Sequence, residues 1–145
     1  MRALLQRVSK ASVSIAGETV AQIDAGLLVL LGIFPEDGPA EIDYLVDKLL
    51  GLRIFPDDAK AMNRSVMDID GEVLVVSQFT LAADTSRGRR PGFGSAAPPE
   101  IAQPLYEQFL SALATKWPRI SGGVFGADMQ VALINDGPVT ILLDK

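Results

Sequence analysis

The chain has 145 residues, of which 48% are apolar and 21% charged, and its net charge is −5. That balance describes a single globular domain large enough to bury a core, and it argues against nonspecific affinity for nucleic acid, which normally needs a basic surface. Cysteine and histidine are both absent, which excludes disulfides, thiolate chemistry, a Ser-His-Asp triad and a zinc site built on His or Cys.

From the N-terminus, ALLQRV and ASVSI read as extended, with apolar residues alternating at Val13 and Ile15. Ala16-Gly17-Glu18 reads as a hairpin turn, and TVAQI as the returning strand. Asp24-Ala25-Gly26 marks a second turn before GLLVLLGIF, Gly26 to Phe34. That run has the length of a buried strand and falls far short of the roughly 20 apolar residues that span a bilayer. No signal-peptide pattern is present at the start, so a cytoplasmic protein is expected. Pro35 to Gly38 break the chain, and Pro39 suits the first position of a helix. Ile42, Leu45, Val46, Leu49 and Leu50 then follow helical spacing, with Gly51 as the stop.

LRIFP reads as a short strand. MNRSVMDI and EVLVVSQF flank Asp70-Gly71, a strong hairpin signal. Residues 83–98, rich in Gly, Arg, Ser and Pro, form a long loop, and such loops are usually functional or mobile. A second helix is predicted from Pro98 or Pro99, with Ile101, Leu105, Phe109, Ala112 and Leu113 on its apolar face. Pro104 inside it predicts a kink or a later start. Extended runs follow near RISGGVF, at MQVALI and at VTILLD. The pattern predicts one α+β domain over 1–145, with a mainly antiparallel sheet and two principal helices.

Three stretches can carry chemistry. SQFTL, Ser77 to Leu81, ends the strand EVLVVSQF. If the extension persists, Gln78 and Thr80 share one face; the alternative is a strand fraying into solvent. A hydroxyl nucleophile needs a base, and no His is available. The backbone N–H groups of Phe79 and Thr80 can instead form an oxyanion hole. NDGPVT, Asn135 to Thr140, reads as a hairpin turn with an edge-strand Pro, yet a ligand can approach a glycine backbone closely. RGRRPGF, Arg87 to Phe93, is either a solvated loop or a phosphate-binding one. The carboxylates show no metal-ligand or glycosidase spacing, and no nucleotide fingerprint is present. Neither a metal nor another cofactor is expected.

Together, LLQRVSKASVSI, AGLLVLLGI, MNRSV, LVVSQFTLAADT, RGRRPGF and FGADMQVALINDGPVT resemble the D-aminoacyl-tRNA deacylase family nearly end to end, and SQFTL and NDGPVT are that family's two signature motifs. The resemblance implies a barrel-like sheet, a homodimer, and hydrolysis of the ester joining a D-amino acid, or glycine, to the 3′ end of tRNA. It implies that Ser77, Gln78, Phe79 and Thr80 line the pocket for the aminoacylated terminal adenosine. It implies a cis Gly137-Pro138 dyad that reaches into the partner subunit's active site, with Arg7 holding the dyad in place. Phe125 and Met129 of FGADM are implied for the adenosine pocket. The only macromolecular ligand implied is tRNA; neither a membrane nor DNA is expected. Gly92, where many relatives carry Ser, and Pro104 depart from the commonest pattern without touching either signature. The intact SQFTL and GPVT favour the D-specific branch over a sister group with relaxed chirality.

Overall fold

A computed structural model describes all 145 residues. The chain forms strands β1 (Arg2–Ile15), β2 (Glu18–Ile23) and β3 (Gly26–Gly32), helix α1 (Pro39–Gly51), strand β4 (Glu72–Ser77), helix α2 (Pro99–Lys116), and strands β5 (Ile120–Gly122) and β6 (Gln130–Asp144). The long strand β1 is the spine. Its second half pairs with β2 across the expected hairpin, where Ala16 and Gly17 take positive φ. Its first half pairs antiparallel with β3, from Arg2↔Gly32 to Val8↔Gly26. Along its other side β1 pairs antiparallel with β6. The result is a nearly closed, barrel-like sheet in the order β2-β1-β3-β4-β5, with β6 on β1.

The sheet is mainly antiparallel as expected, in three of its five pairings, but it is mixed, because β3–β4 and β4–β5 are both parallel. Parallel neighbours need a crossover, usually helical. α1 lies in the connection from β3 to β4, and α2 in the connection from β4 to β5. Both helices lay their apolar residues on one face of the sheet. Ile42, Leu45 and Leu49 of α1 and Leu105, Phe109 and Leu113 of α2 share the larger core cluster with Leu5, Val29 and Val75. A second, smaller cluster on the opposite side takes Leu28, Leu74 and Val76. β3 and β4 are therefore buried on both faces, which is why neither alternates in sequence.

α1 starts and stops where the spacing predicts, and the Glu41 carboxylate accepts the Gly38 N–H at 2.9 Å. α2 begins at Pro99 and runs through Pro104, so the predicted later start does not occur. Pro104 has no N–H to donate, so the Glu100 carbonyl one turn earlier loses its helical bond, and the helix bears that loss near its start. Ile101, placed on the apolar face by spacing, is exposed, whereas Ala102 and Tyr106 are buried.

The Asp70-Gly71 hairpin is not formed. Residues 66–70 make turns, Asp70 sits at φ 53°, and Gly71 N–H donates to Val66 O at 2.8 Å. The following strand is committed to parallel pairing with β3, which a two-residue turn cannot serve. LRIFP contributes only an isolated bridge between Phe55 and Arg64. NDGPVT is not a hairpin either, since MQVALI and VTILLD belong to the same strand, β6, and both pair with β1. No helix is long and apolar enough to cross a membrane.

Candidate functional site

The carboxyl end of β4 opens into a cavity of about 650 Å³ with 18 lining residues, 12 of them hydrophobic. Ser77, Gln78 and Phe79 line it together with Phe125 and Met129. Ser77, at the end of β4, and Met129, between β5 and β6, are thus brought to one cavity. Thr80 is not on the wall. Nor are Arg7, Gly137 and Pro138. Phe93, Ala97 and Pro98 complete the enclosure from the long loop; sequence reasoning treated that loop only as a possible anion site, although Phe93 ends one of its matched segments.

SQFTL does not continue the strand. Gln78 N–H donates to Leu31 O at 2.8 Å, after which Phe79–Ala82 turn into a single 3-10 turn. The expected side-chain alternation therefore fails beyond Ser77. Phe79 and Thr80 open the turn, and the first N–H groups of any helix have no acceptor inside it. The turn is tied down by Arg2, whose Nη1 donates to Leu81 O at 2.9 Å while its Nε pairs with Asp144. Nothing in the residue pattern around Arg2 marked it for this. Gln78 Nε2 donates to Thr80 Oγ1 at 2.5 Å, the one side-chain bond of that hydroxyl. Phe79 is 57% exposed and leans edge-on against Phe93, with ring centroids 5.0 Å apart.

NDGPVT forms a bulge. Val8 pairs with Asn135 and Gln6 with Thr140, so the residues between Asn135 and Thr140 stand opposite Arg7 alone. Asn135 Nδ2 closes the bulge by donating to Arg7 O at 3.0 Å and Val139 O at 2.9 Å, and Val139 is buried beneath it. The Arg7 side chain is buried under the bulge. Its Nη1 donates to Ile54 O at 2.6 Å, and its Nε lies 3.1 Å from both the carbonyl and the carboxylate of Asp136. Gly137 and Pro138 are exposed at the crest, joined by a cis bond. Arg7 pairs with Leu27 on β3, whereas the cavity begins at Leu31. Four residues of strand separate them, about 13 Å.

One buried hydroxyl ties the strand leading to Ser77 to the segment leading to Phe125. Tyr106 of α2 points its OH at Val75 O, 2.9 Å away on β4, and at Gly123 O, 3.1 Å away before the FGADM segment. Burial pushes its pKa up to about 12. The ordinary tyrosine value is about 10, so the folded state holds the proton more tightly than the unfolded chain. Stability is then unaffected below about pH 10 and falls by roughly 2 kcal/mol as pH rises from 10 towards 12, where only the unfolded chain ionises freely. Tyr106→Phe should cost about 1 kcal/mol at pH 8 and lose less than the parent between pH 8 and 11. Urea midpoints at the two pH values measure both effects.

Arg87, Arg89 and Arg90 are exposed and form no ion pair. The loop that carries them is pinned by reciprocal Asp84–Gly92 backbone bonds of 2.8 Å.

Residues 4–144 match the model of a family described as D-Tyr-tRNA(Tyr) deacylase. A D-aminoacyl-tRNA deacylase of Prosthecochloris aestuarii is 58% identical over 99% of both chains. One of Cytophaga hutchinsonii is 59% identical over 100% of this chain and 97% of its own. The solved structure of a c-Myc DNA unwinding element binding protein superposes with a TM-score of 0.95 at 44% identity, covering 100% of this chain and 99% of that one.

Proposed function

The chain belongs to the D-Tyr-tRNA(Tyr) deacylase family, and from that premise we propose that it hydrolyses D-aminoacyl-tRNA in the cavity at the end of β4. One observation carries the placement. SQFTL and FGADM, distant in sequence, share the walls of a single apolar cavity, and its volume lies in the range that holds a nucleoside-sized ligand. Phe125 and Met129 supply apolar contact for the terminal adenosine. Ser77, Gln78 and Phe79 border the amino acid and its ester. The N–H groups of Phe79 and Thr80 stabilise the oxyanion that forms when water adds to the ester carbonyl.

A protein nucleophile is disfavoured. The chain has no histidine, and the Thr80 hydroxyl bonds only the side-chain amide of Gln78, which is no base. The 2′-OH of the terminal ribose is the group best placed to orient or activate the water.

Chirality is read by exclusion. The exposed Gly137-Pro138 crest is not on the wall of its own cavity, which favours action on a second copy of the chain in a homodimer. Its backbone would occupy the space an L side chain needs, while a D side chain, or the hydrogen of glycyl-tRNA, points elsewhere. Arg7 holds the crest rigid from below.

A second reading comes from the 44% identical solved structure, whose name describes binding to a DNA element. A nucleic-acid-binding module without catalysis would leave the ester intact, and the net charge of −5 argues against it. Incubating the purified chain with D-tyrosyl-tRNA separates the two: release of D-tyrosine supports hydrolysis, and an intact ester with retained RNA or DNA binding supports the module.

A further inference from the structure

Phe93 lies outside both signature motifs, yet it stands on the cavity wall in contact with one of them. Its ring meets Phe79 edge-on at 67°, with centroids 5.0 Å apart. Such pairs are held by the opposed charge of ring face and ring edge, beyond the area they bury. Phe79 needs this support, because at 57% exposure it has little else around it.

The backbone on both sides of Phe93 is fixed. Gly92, its neighbour, exchanges two 2.8 Å bonds with Asp84. Ser95 Oγ donates to Ala82 O at 2.7 Å, and Ala97 N–H donates to Ile33 O at 2.9 Å. Ala82 is the last residue of the 3-10 turn that Phe79 begins, and Asp84 follows two residues later. The loop therefore grips the turn at its end through Ser95 and at its start through Phe93.

We propose that Phe93 is a positioning residue for deacylation. Its ring fixes Phe79, and through Phe79 it sets the direction of the two N–H groups at the start of the turn. The proposal rests on the deacylase function argued above for its kinetic consequence, and on the contacts alone for its structural one. The residue touches the turn, not the reacting atoms, so its loss acts on the rate of the chemical step more than on substrate affinity. An effect on turnover of roughly tenfold follows from the sensitivity of such reactions to sub-ångström misplacement.

The test compares the parent with Phe93→Leu and Phe93→Tyr. Leucine keeps an apolar side chain on the wall and removes the ring pair; tyrosine restores an aromatic ring. Two readouts are needed. Amide hydrogen exchange at Leu81 and Ala83, which donate to Gln78 O and Thr80 O within the turn, should speed up roughly three- to tenfold in Phe93→Leu. It should return towards the parent in Phe93→Tyr, with the amides of α1 unchanged throughout. Steady-state hydrolysis of D-tyrosyl-tRNA should show kcat reduced about tenfold in Phe93→Leu with KM within about twofold, and recovery in Phe93→Tyr. Unchanged exchange at Leu81 and Ala83 overturns the proposal whatever the activity. So does a raised KM at constant kcat, which would make Phe93 a substrate contact. A parent that releases no D-tyrosine overturns the deacylase function, and the exchange data then decide the role of Phe93 by themselves.

Discussion

Gly137→Ala is expected to lower selectivity for D- over L-tyrosyl-tRNA by about 10²-fold while leaving the fold in place. A Cβ at this position would lie 2.8 Å from Arg7 Nη2, 2.9 Å from Val139 Cγ2 and 3.2 Å from Val139 N. The φ of +122° is itself one that L side chains rarely adopt. None of the three neighbours yields easily. The Arg7 guanidinium is anchored by Ile54 O and Asp136, and Val139 is part of the core. The crest must therefore shift by a fraction of an ångström or more, outwards into solvent. A steric filter is sensitive to that scale, because it works by occupying space an L side chain would otherwise fill. Global stability should fall as well, by about 1–2 kcal/mol, since alanine is strained at this φ, a loss that a domain of ordinary stability tolerates. First-order deacylation of the two tyrosyl-tRNAs, with a urea melt as control, gives the result. A variant that folds and rejects the L ester as well as the parent does would remove the crest from chiral selection.

Replacing the terminal ribose of the substrate by 2′-deoxyribose is expected to slow hydrolysis by on the order of 10²-fold or more, the usual contribution of a positioned acid–base group. Catalysis here has few protein groups to draw on. Histidine and cysteine are absent. The Ser77 hydroxyl bonds no side chain that could activate it, and Thr80 shares its hydroxyl only with Gln78. Backbone amides can stabilise an oxyanion but cannot take the proton from an attacking water. The substrate hydroxyl adjacent to the ester is the group left to do so, by accepting that proton while passing its own to the departing 3′ oxygen. Thr80→Ala serves as the companion: it should keep most of the turnover, because the amide of residue 80 survives the substitution. A deoxy substrate cleaved at the full rate, or a Thr80→Ala variant that is inert, would move the chemistry onto the protein.

Much of this architecture was legible in the residues, for identifiable reasons. The helical spacing of Ile42, Leu45, Val46 and Leu49 and the proline at its start place α1 to the residue. The β1–β2 hairpin follows from Ala16-Gly17. The parallel strands were missed, although GLLVLL and VLVV carried the sign: neither alternates, because each is covered on both faces. Asp70-Gly71 misled because a local turn signal says nothing about which strand its neighbour will join. At the site, the resemblance named Ser77, Gln78, Phe79, Phe125 and Met129, and the fold gathers them around one cavity. Arg7 and the Gly137-Pro138 crest gather elsewhere. That division between cavity and crest depends on the register of β1 against β3 and β6, which no short window of sequence contains. The supporting contacts of Arg2, Tyr106 and Phe93 are tertiary in the same sense.

The central claim is that this chain cleaves the aminoacyl ester and does so according to the hand of the amino acid. The most direct measurement takes one enzyme concentration and one buffer, and follows loss of D-tyrosine and of L-tyrosine from the same tRNA beside an enzyme-free blank. The D ester should be released at least about 10²-fold faster than the L ester, with the L ester decaying at the rate of the blank. Equal enzymatic rates for the two esters, or no release of D-tyrosine above the blank, would contradict the account.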